Sequence, residues 1–183
     1  MAKNIKAKMK DLKIAFTGPE SSGKTTMSKW LSMHLSFNFA NEYARDYLSK
    51  KSGYNQEDLN KIAAEQYRRN DASGNLVIDT EMLVMKVWCE EKYNSCSKEI
   101  LDLLELQKID FYFLCKPDIP WEEDPLRENP LDRDRLFMKY EENLKERGYE
   151  YAVLKGSLLK RQEMIIETCL LYTSDAADEE DSV

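Results

Sequence analysis

Gly18-Pro-Glu-Ser-Ser-Gly23-Lys24-Thr25 has the spacing G-x-x-x-x-G-K-[ST]. The spacing answers to phosphate chemistry. A glycine-bounded loop wraps its backbone N–H groups around a β-phosphate. A helix starting near Lys24 points the positive end of its dipole at the same group. Lys24 then reaches the β- and γ-phosphates, and Thr25 offers its hydroxyl to Mg²⁺. At an average glycine usage of about 7%, a chance match arises on the order of once per hundred chains of this length. The flanks reduce that chance further: the apolar run Leu12–Thr17 precedes the loop and a helical pattern over Thr25–Leu35 follows it. ATP and Mg²⁺ are therefore the expected cofactors. Gly18, Ser21, Ser22, Gly23, Lys24, Thr25 and Thr26 are the expected nucleotide-binding residues.

Outward from the loop, strand and helix signals alternate. Strands are expected at 12–17, 37–40, 75–79, 109–115 and 151–154. Helices are expected at 25–35, 43–50, 57–69, through Met82, Met85 and Trp88, after the capping Ser97, at 132–147 and at 157–168. That order implies an α/β P-loop fold, with about five mostly parallel strands covered on both faces. Asn75-Leu-Val-Ile-Asp79 ends in an acid. A carboxylate at the C-terminal end of a neighbouring parallel strand faces the ligand crevice, so Asp79 is expected to join Thr25 at the metal. Capping of the next helix is its alternative role.

Composition sets the remaining bounds. The chain has 183 residues, 33% of them charged, with a net charge of −7. One domain is expected. The acidity argues against a nucleic-acid partner. The longest uncharged run, Trp30–Asn41, is shorter than the roughly 20 apolar residues of a membrane span. Cys89, Cys96, Cys115 and Cys169 form no C-x-x-C pair, and His34 is the single histidine, so a zinc centre is not expected. The expected location is the cytoplasm, with reduced thiols. Nothing in the sequence specifies an oligomeric state. Residues 1–10 read as a frayed basic arm and 11–168 as the folded domain. Cys169–Glu179 resembles one reading frame through a transposon-end sequencing adapter, which assigns 169–183 to an acidic tail outside the fold. A natural solvated tail is the alternative. The apolar pattern of Ile165, Ile166, Leu170 and Leu171 would extend the last helix into this segment.

Residues 116–131 hold four prolines and many charges, the composition of a loop or lid. With no N-K-x-D motif, a GTPase is not indicated. A small kinase fits, because such enzymes close an arginine-bearing lid over the phosphates. Arg127, Arg133 and Arg135 lie in or beside this segment, where a guanidinium stabilises charge on a transferring phosphoryl group. A surface ion pair is the alternative for each.

Several stretches narrow the family. Gly18–Thr25, Asn41-Glu-Tyr-Ala-Arg45 with Tyr47-Leu48, Ile62-Ala63 with Gln66, Ile78-Asp-Thr-Glu81, Pro117-Asp-Ile-Pro-Trp-Glu-Glu-Asp124, Leu126-Arg127, and Arg161 after Gly156 occur in this order. In this set the chain resembles the ribosylnicotinamide kinase domain of NadR-type NAD-biosynthesis proteins, across about residues 12–168. The resemblance implies ATP- and Mg²⁺-dependent phosphorylation of the 5′-hydroxyl of nicotinamide riboside, a small-molecule partner, giving nicotinamide mononucleotide. Pro125 stands where that pattern places a glycine, which would stiffen the lid.

The nicotinamide riboside base is a cation, and aromatic faces and carboxylates favour a cation. Trp121, among Glu122, Glu123 and Asp124, is the expected aromatic contact, with Tyr43 and Trp88 as further candidates. Trp88 also fits plain core packing. Glu42 is expected to take the proton of the sugar hydroxyl, with Asp79 as its rival. Arg45 would orient that carboxylate or touch the substrate, and an exposed helical ion pair is its alternative role. Gln66, on an apolar helix face, would bond either the nicotinamide amide or a buried backbone group. Two readings stay open beside this one: a kinase for another nucleoside, and a non-catalytic ATP-sensing module.

Overall fold

The computed structural model describes residues 11–124 and 127–180, so the basic arm and Pro125 lie outside the described residues. The elements in chain order are β1 (Lys13–Thr17), α1 (Lys24–Leu35), β2 (Asn38–Ala40), α2 (Ala44–Leu48), α3 (Gln56–Asn70), β3 (Leu76–Ile78), α4 (Met82–Tyr93), α5 (Lys98–Leu106), β4 (Phe111–Cys115), α6 (Arg133–Glu146), β5 (Tyr151–Leu154) and α7 (Leu158–Glu180). The strands form one parallel sheet in the order β2-β3-β1-β4-β5. The fold is α/β, as the alternation of signals predicts.

Side-chain alternation along the strands divides the core in two. Leu12, Ile14 and Phe16 pack on one face with Val77, Phe113, Cys115 and the α1 residues Met27, Leu31 and Leu35. Ala15, Leu76, Ile78, Tyr112 and Leu114 face the other way, toward α3, α4, α5 and α6. Both faces are covered, so the strands read as nearly continuous apolar runs.

Local chemistry sets the helix ends. The Asn55 side chain accepts from the Asp58 N–H while Asp58 accepts from the Asn55 N–H, a reciprocal cap that starts α3. Ser97 caps α5. Gly148, at φ 65°, follows α6. The last helix, α7, continues past 168 to Glu180, along the apolar pattern that the sequence carries into the tail. Ile165 and Cys169 are buried against the α1 face of the sheet, so the apolar period of the helix carries into the acidic segment. His34, exposed at the end of α1, stacks on Trp30 at 5.0 Å.

β1 is central: the connection after β1 runs past β3 to β2, and the connection after β3 runs the other way, past β1 to β4. The crevice beyond the C-terminal ends of β1 and β3 is therefore the expected ligand position. No helix among the described residues is long and apolar enough to cross a membrane.

Candidate functional site

The phosphate loop fills this crevice. Gly18, at φ 126°, leaves β1 so close to β4 that a Cβ there would stand 2.8 Å from the Cys115 carbonyl oxygen. Gly23, at φ 86°, turns the chain into α1 from the left-handed region. Ser22 Oγ donates to the Pro19 carbonyl at 2.7 Å and closes the loop on itself. Arg161 braces it from behind. This buried guanidinium donates to the carbonyls of Ser22 at 2.6 Å, Lys116 at 2.8 Å and Gly156 at 3.0 Å, and pairs with Asp118. Of this bracing, Arg161, Gly156 and Asp118 were legible in the sequence, and only as matched residues without a role.

Lys24 Nζ donates to the Gly18 and Pro19 carbonyls at 2.8 and 2.7 Å, which holds the ammonium over the loop. Thr25 Oγ1 donates to Asp79 Oδ2 at 2.9 Å. Asp79 is 2% exposed, and its other oxygen, Oδ1, is buried without a hydrogen-bond partner. Burial pushes the Asp79 carboxyl above its ordinary range, against the pull of Thr25 and Lys24. A hydroxyl beside a carboxylate with one oxygen unspent is a fitting donor set for Mg²⁺, which binds few protein ligands and completes its shell with waters and phosphate oxygens.

A cavity of about 280 Å³ opens above the loop. The loop and Thr26 form its floor. Glu42 and Arg45 stand on one side, Thr80, Val84, Val87, Trp88 and Glu91 line another, and lid residues including Arg127 and Glu128 cover it. Burial, then the neighbouring Asp79 charge, raises the Glu42 carboxyl, while Arg45 at 3.2 Å works against the rise. Glu91 is held ionised, near a pKa of about 2, chiefly by the Arg135 guanidinium that grips both its oxygens.

Other expected residues are spent on structure. Gln66 is fully buried. It accepts the Tyr43 N–H at 2.8 Å and donates to the Asn41 carbonyl and to Asn70, so its amide serves backbone and core. Tyr43 lies under Arg69, whose guanidinium carbon is 4.6 Å from the ring. Trp121 does not line the cavity. Arg127 and Arg133 sit over its ring at 5.9 and 5.6 Å, so protein cations already occupy the π-system intended for a cationic base. Arg133 donates to the Ser21 and Ile119 carbonyls, tying the lid base to the loop. Arg135 is turned away toward Glu91 and Asp132. Asp124 pairs with Arg45 at 2.6 Å. Arg127 is retained at the cavity, with Nη1 on the Glu122 carbonyl at 2.5 Å.

Trp88 takes the wall position instead. Val84, Val87, Trp88 and Glu91 follow i, i+3, i+4, i+7 on α4, a stripe that sequence alone cannot separate from core. The charge ending that stripe was the available signal. Glu20 and Glu128 carried no comparable signal.

A family model described as an AAA domain (AAA_28) matches residues 13–161. The trifunctional NAD biosynthesis/regulator protein NadR of Salmonella typhimurium strain LT2 is 27% identical over 171 residues, covering 84% of this chain and 42% of that protein. A NadR protein solved in complex with NR superposes with a TM-score of 0.70 at 20% identity, covering 90% of this chain and 52% of that one. A deoxyadenosine kinase from M. mycoides, solved with products bound, gives 0.62 at 16% identity, covering 86% of this chain and 97% of that one. The chain thus spans about half the length of the NadR relatives it matches. With its loop, its strand order and a match running from β1 to Arg161, the chain belongs to the AAA domain family.

Proposed function

We propose that this chain is an ATP-dependent kinase, with residues 11–168 as the catalytic unit, that phosphorylates the 5′-hydroxyl of nicotinamide riboside. The observation that carries the reading is that one cavity joins Lys24 and the phosphate loop to a wall of Trp88, Glu42 and Glu91. A donor triphosphate and an acceptor nucleoside would share that space. The similarity to NadR, which is named for NAD biosynthesis, and to a nucleoside kinase supports the same class.

In this reading the loop amides and Lys24 hold the β- and γ-phosphates, with phosphate oxygens replacing the Gly18 and Pro19 carbonyls on the ammonium. Mg²⁺ held by Thr25 and Asp79 would neutralise charge on the phosphates. Glu42 accepts the proton of the 5′-hydroxyl as that oxygen bonds to the γ-phosphorus and the bridging bond to ADP breaks. A raised carboxyl pKa makes Glu42 a better proton acceptor. Arg127 stabilises the transferring group. Glu42 and the Trp88 face are the features of the acceptor end that suit a pyridinium ring, Glu91 and Glu128 being paired with Arg135 and Lys92.

Coupled assays with Mg-ATP and, in turn, nicotinamide riboside, thymidine, cytidine and adenosine test the proposal. Turnover is expected with nicotinamide riboside and is lost in Lys24→Ala, whose far-UV circular dichroism stays as in the wild type. Preference for a neutral nucleoside would favour the second reading, a kinase of another nucleoside. ATP binding without transfer to any acceptor would leave the sensing module.

A further inference from the structure

Glu20 lies inside the phosphate loop, yet the hydrogen bonds it accepts come from the lid. Its Oε2 accepts the backbone N–H groups of Glu128 at 2.9 Å and Asn129 at 3.0 Å. Two successive N–H groups converging on one oxygen form an anion nest, here filled by a side chain of the protein itself. A carboxylate beside a triphosphate is electrostatically adverse, so its place in the loop calls for a compensating role.

The other end of the same lid segment supplies that role. Glu128 Oε1 accepts the Tyr54 hydroxyl at 2.9 Å and the Lys92 ammonium at 2.7 Å. Tyr54 in turn accepts the Trp88 indole N–H at 2.9 Å and packs edge-on to that ring at 5.3 Å. A continuous run of contacts therefore links the phosphate loop, through the backbone of 128–129 and the Glu128 carboxylate, to the wall of the acceptor end.

We propose that Glu20 is a positioning residue for the acceptor. By fixing the backbone of Glu128 and Asn129, it places the Glu128 carboxylate against Tyr54 and Lys92 and so sets the shape of the cavity around Trp88. A loop residue would then govern acceptor binding rather than ATP binding. The inference rests on the reading that the cavity takes ATP and a nucleoside together.

Steady-state kinetics on the full chain carrying Glu20→Ala, Glu20→Gln, Tyr54→Phe and the Ala/Phe pair test it. Glu20→Ala is expected to raise the nicotinamide riboside KM about tenfold, the scale of one charge-assisted hydrogen bond. Calorimetric affinity for a non-hydrolysable ATP analogue with Mg²⁺ should not fall, because the change removes a negative charge beside the triphosphate. Glu20→Gln should restore most of the loss, because an amide oxygen still accepts both N–H groups. The double variant should exceed the larger single effect by little, since both changes act through Glu128. Without any substrate, the amides of Glu128 and Asn129 should exchange hydrogen faster in Glu20→Ala and not in Glu20→Gln. The inference is overturned by an unchanged acceptor KM, by an equal fall in ATP affinity, by failure of Gln to rescue, or by additive effects. If the wild type phosphorylates no nucleoside, the kinase reading fails instead, and amide exchange alone decides the role of Glu20.

Discussion

Glu42 is the residue on which the proposed chemistry turns. Its carboxyl is pushed up by burial and by Asp79, so the proton-accepting form appears only above the ordinary glutamate value of about 4.3. The acid limb of the kcat profile should rise on the high side of that value. Glu42→Gln should lower kcat by about 10²–10⁴ and flatten the limb, with ATP affinity retained. Asp79→Asn should instead raise the Mg²⁺ concentration needed for half-maximal rate. Initial rates against pH and against Mg²⁺ distinguish the two carboxylates. At this scale the sequence spoke clearly about placement where a motif fixes it: Lys24 stands over the loop, and Thr25 meets Asp79. It spoke poorly where the partner comes from a distant element. Gln66 meets the Tyr43 N–H, and Trp121 meets Arg127 and Arg133, and no spacing rule foretells either contact.

Elements are joined at the back of the site by Arg161, which rises from α7 to grip the phosphate loop, the start of the lid and the β5–α7 turn. Arg161→Met should cost about 3 kcal/mol in denaturant unfolding, the lower end of the range for breaking a buried pair, because Asp118 reaches solvent. A loss below about 1 kcal/mol would mean the three carbonyls find other donors. The elements themselves were readable. Each expected strand lies within two residues of an observed one, because the inner strands are buried apolar runs and turn residues bound the edge strands. The reach of α7 was readable only in part: Ile165, Ile166, Leu170 and Leu171 keep the apolar period, while the charge that follows marks the segment as solvated.

The whole molecule carries two opposed sets of carboxylates. Glu81 is fully buried at the start of α4, where it accepts from Thr17, Gln107 and two backbone N–H groups, and burial raises its pKa. Asp79 and Glu42 are raised for the same main reason. A raised folded-state pKa means that the native state binds protons the unfolded chain releases. The stability tied to these protons is complete below about pH 4 and is lost as pH rises through the folded values. Glu91, held near a pKa of about 2, contributes the reverse, stability lost only as pH falls toward that value. Glu81→Gln should therefore gain on the wild type as pH rises above about 4, and urea midpoints of both proteins across pH 4–8 measure that gain. The placement of β1 between β3 and β4 has a further consequence, for synthesis. The strand that emerges first finds its two neighbours only at Leu76–Ile78 and Phe111–Leu114. A nascent polypeptide leaving the ribosome thus keeps Ile14 and Phe16 exposed until Phe111–Leu114 has followed, and the centre of the sheet closes only then.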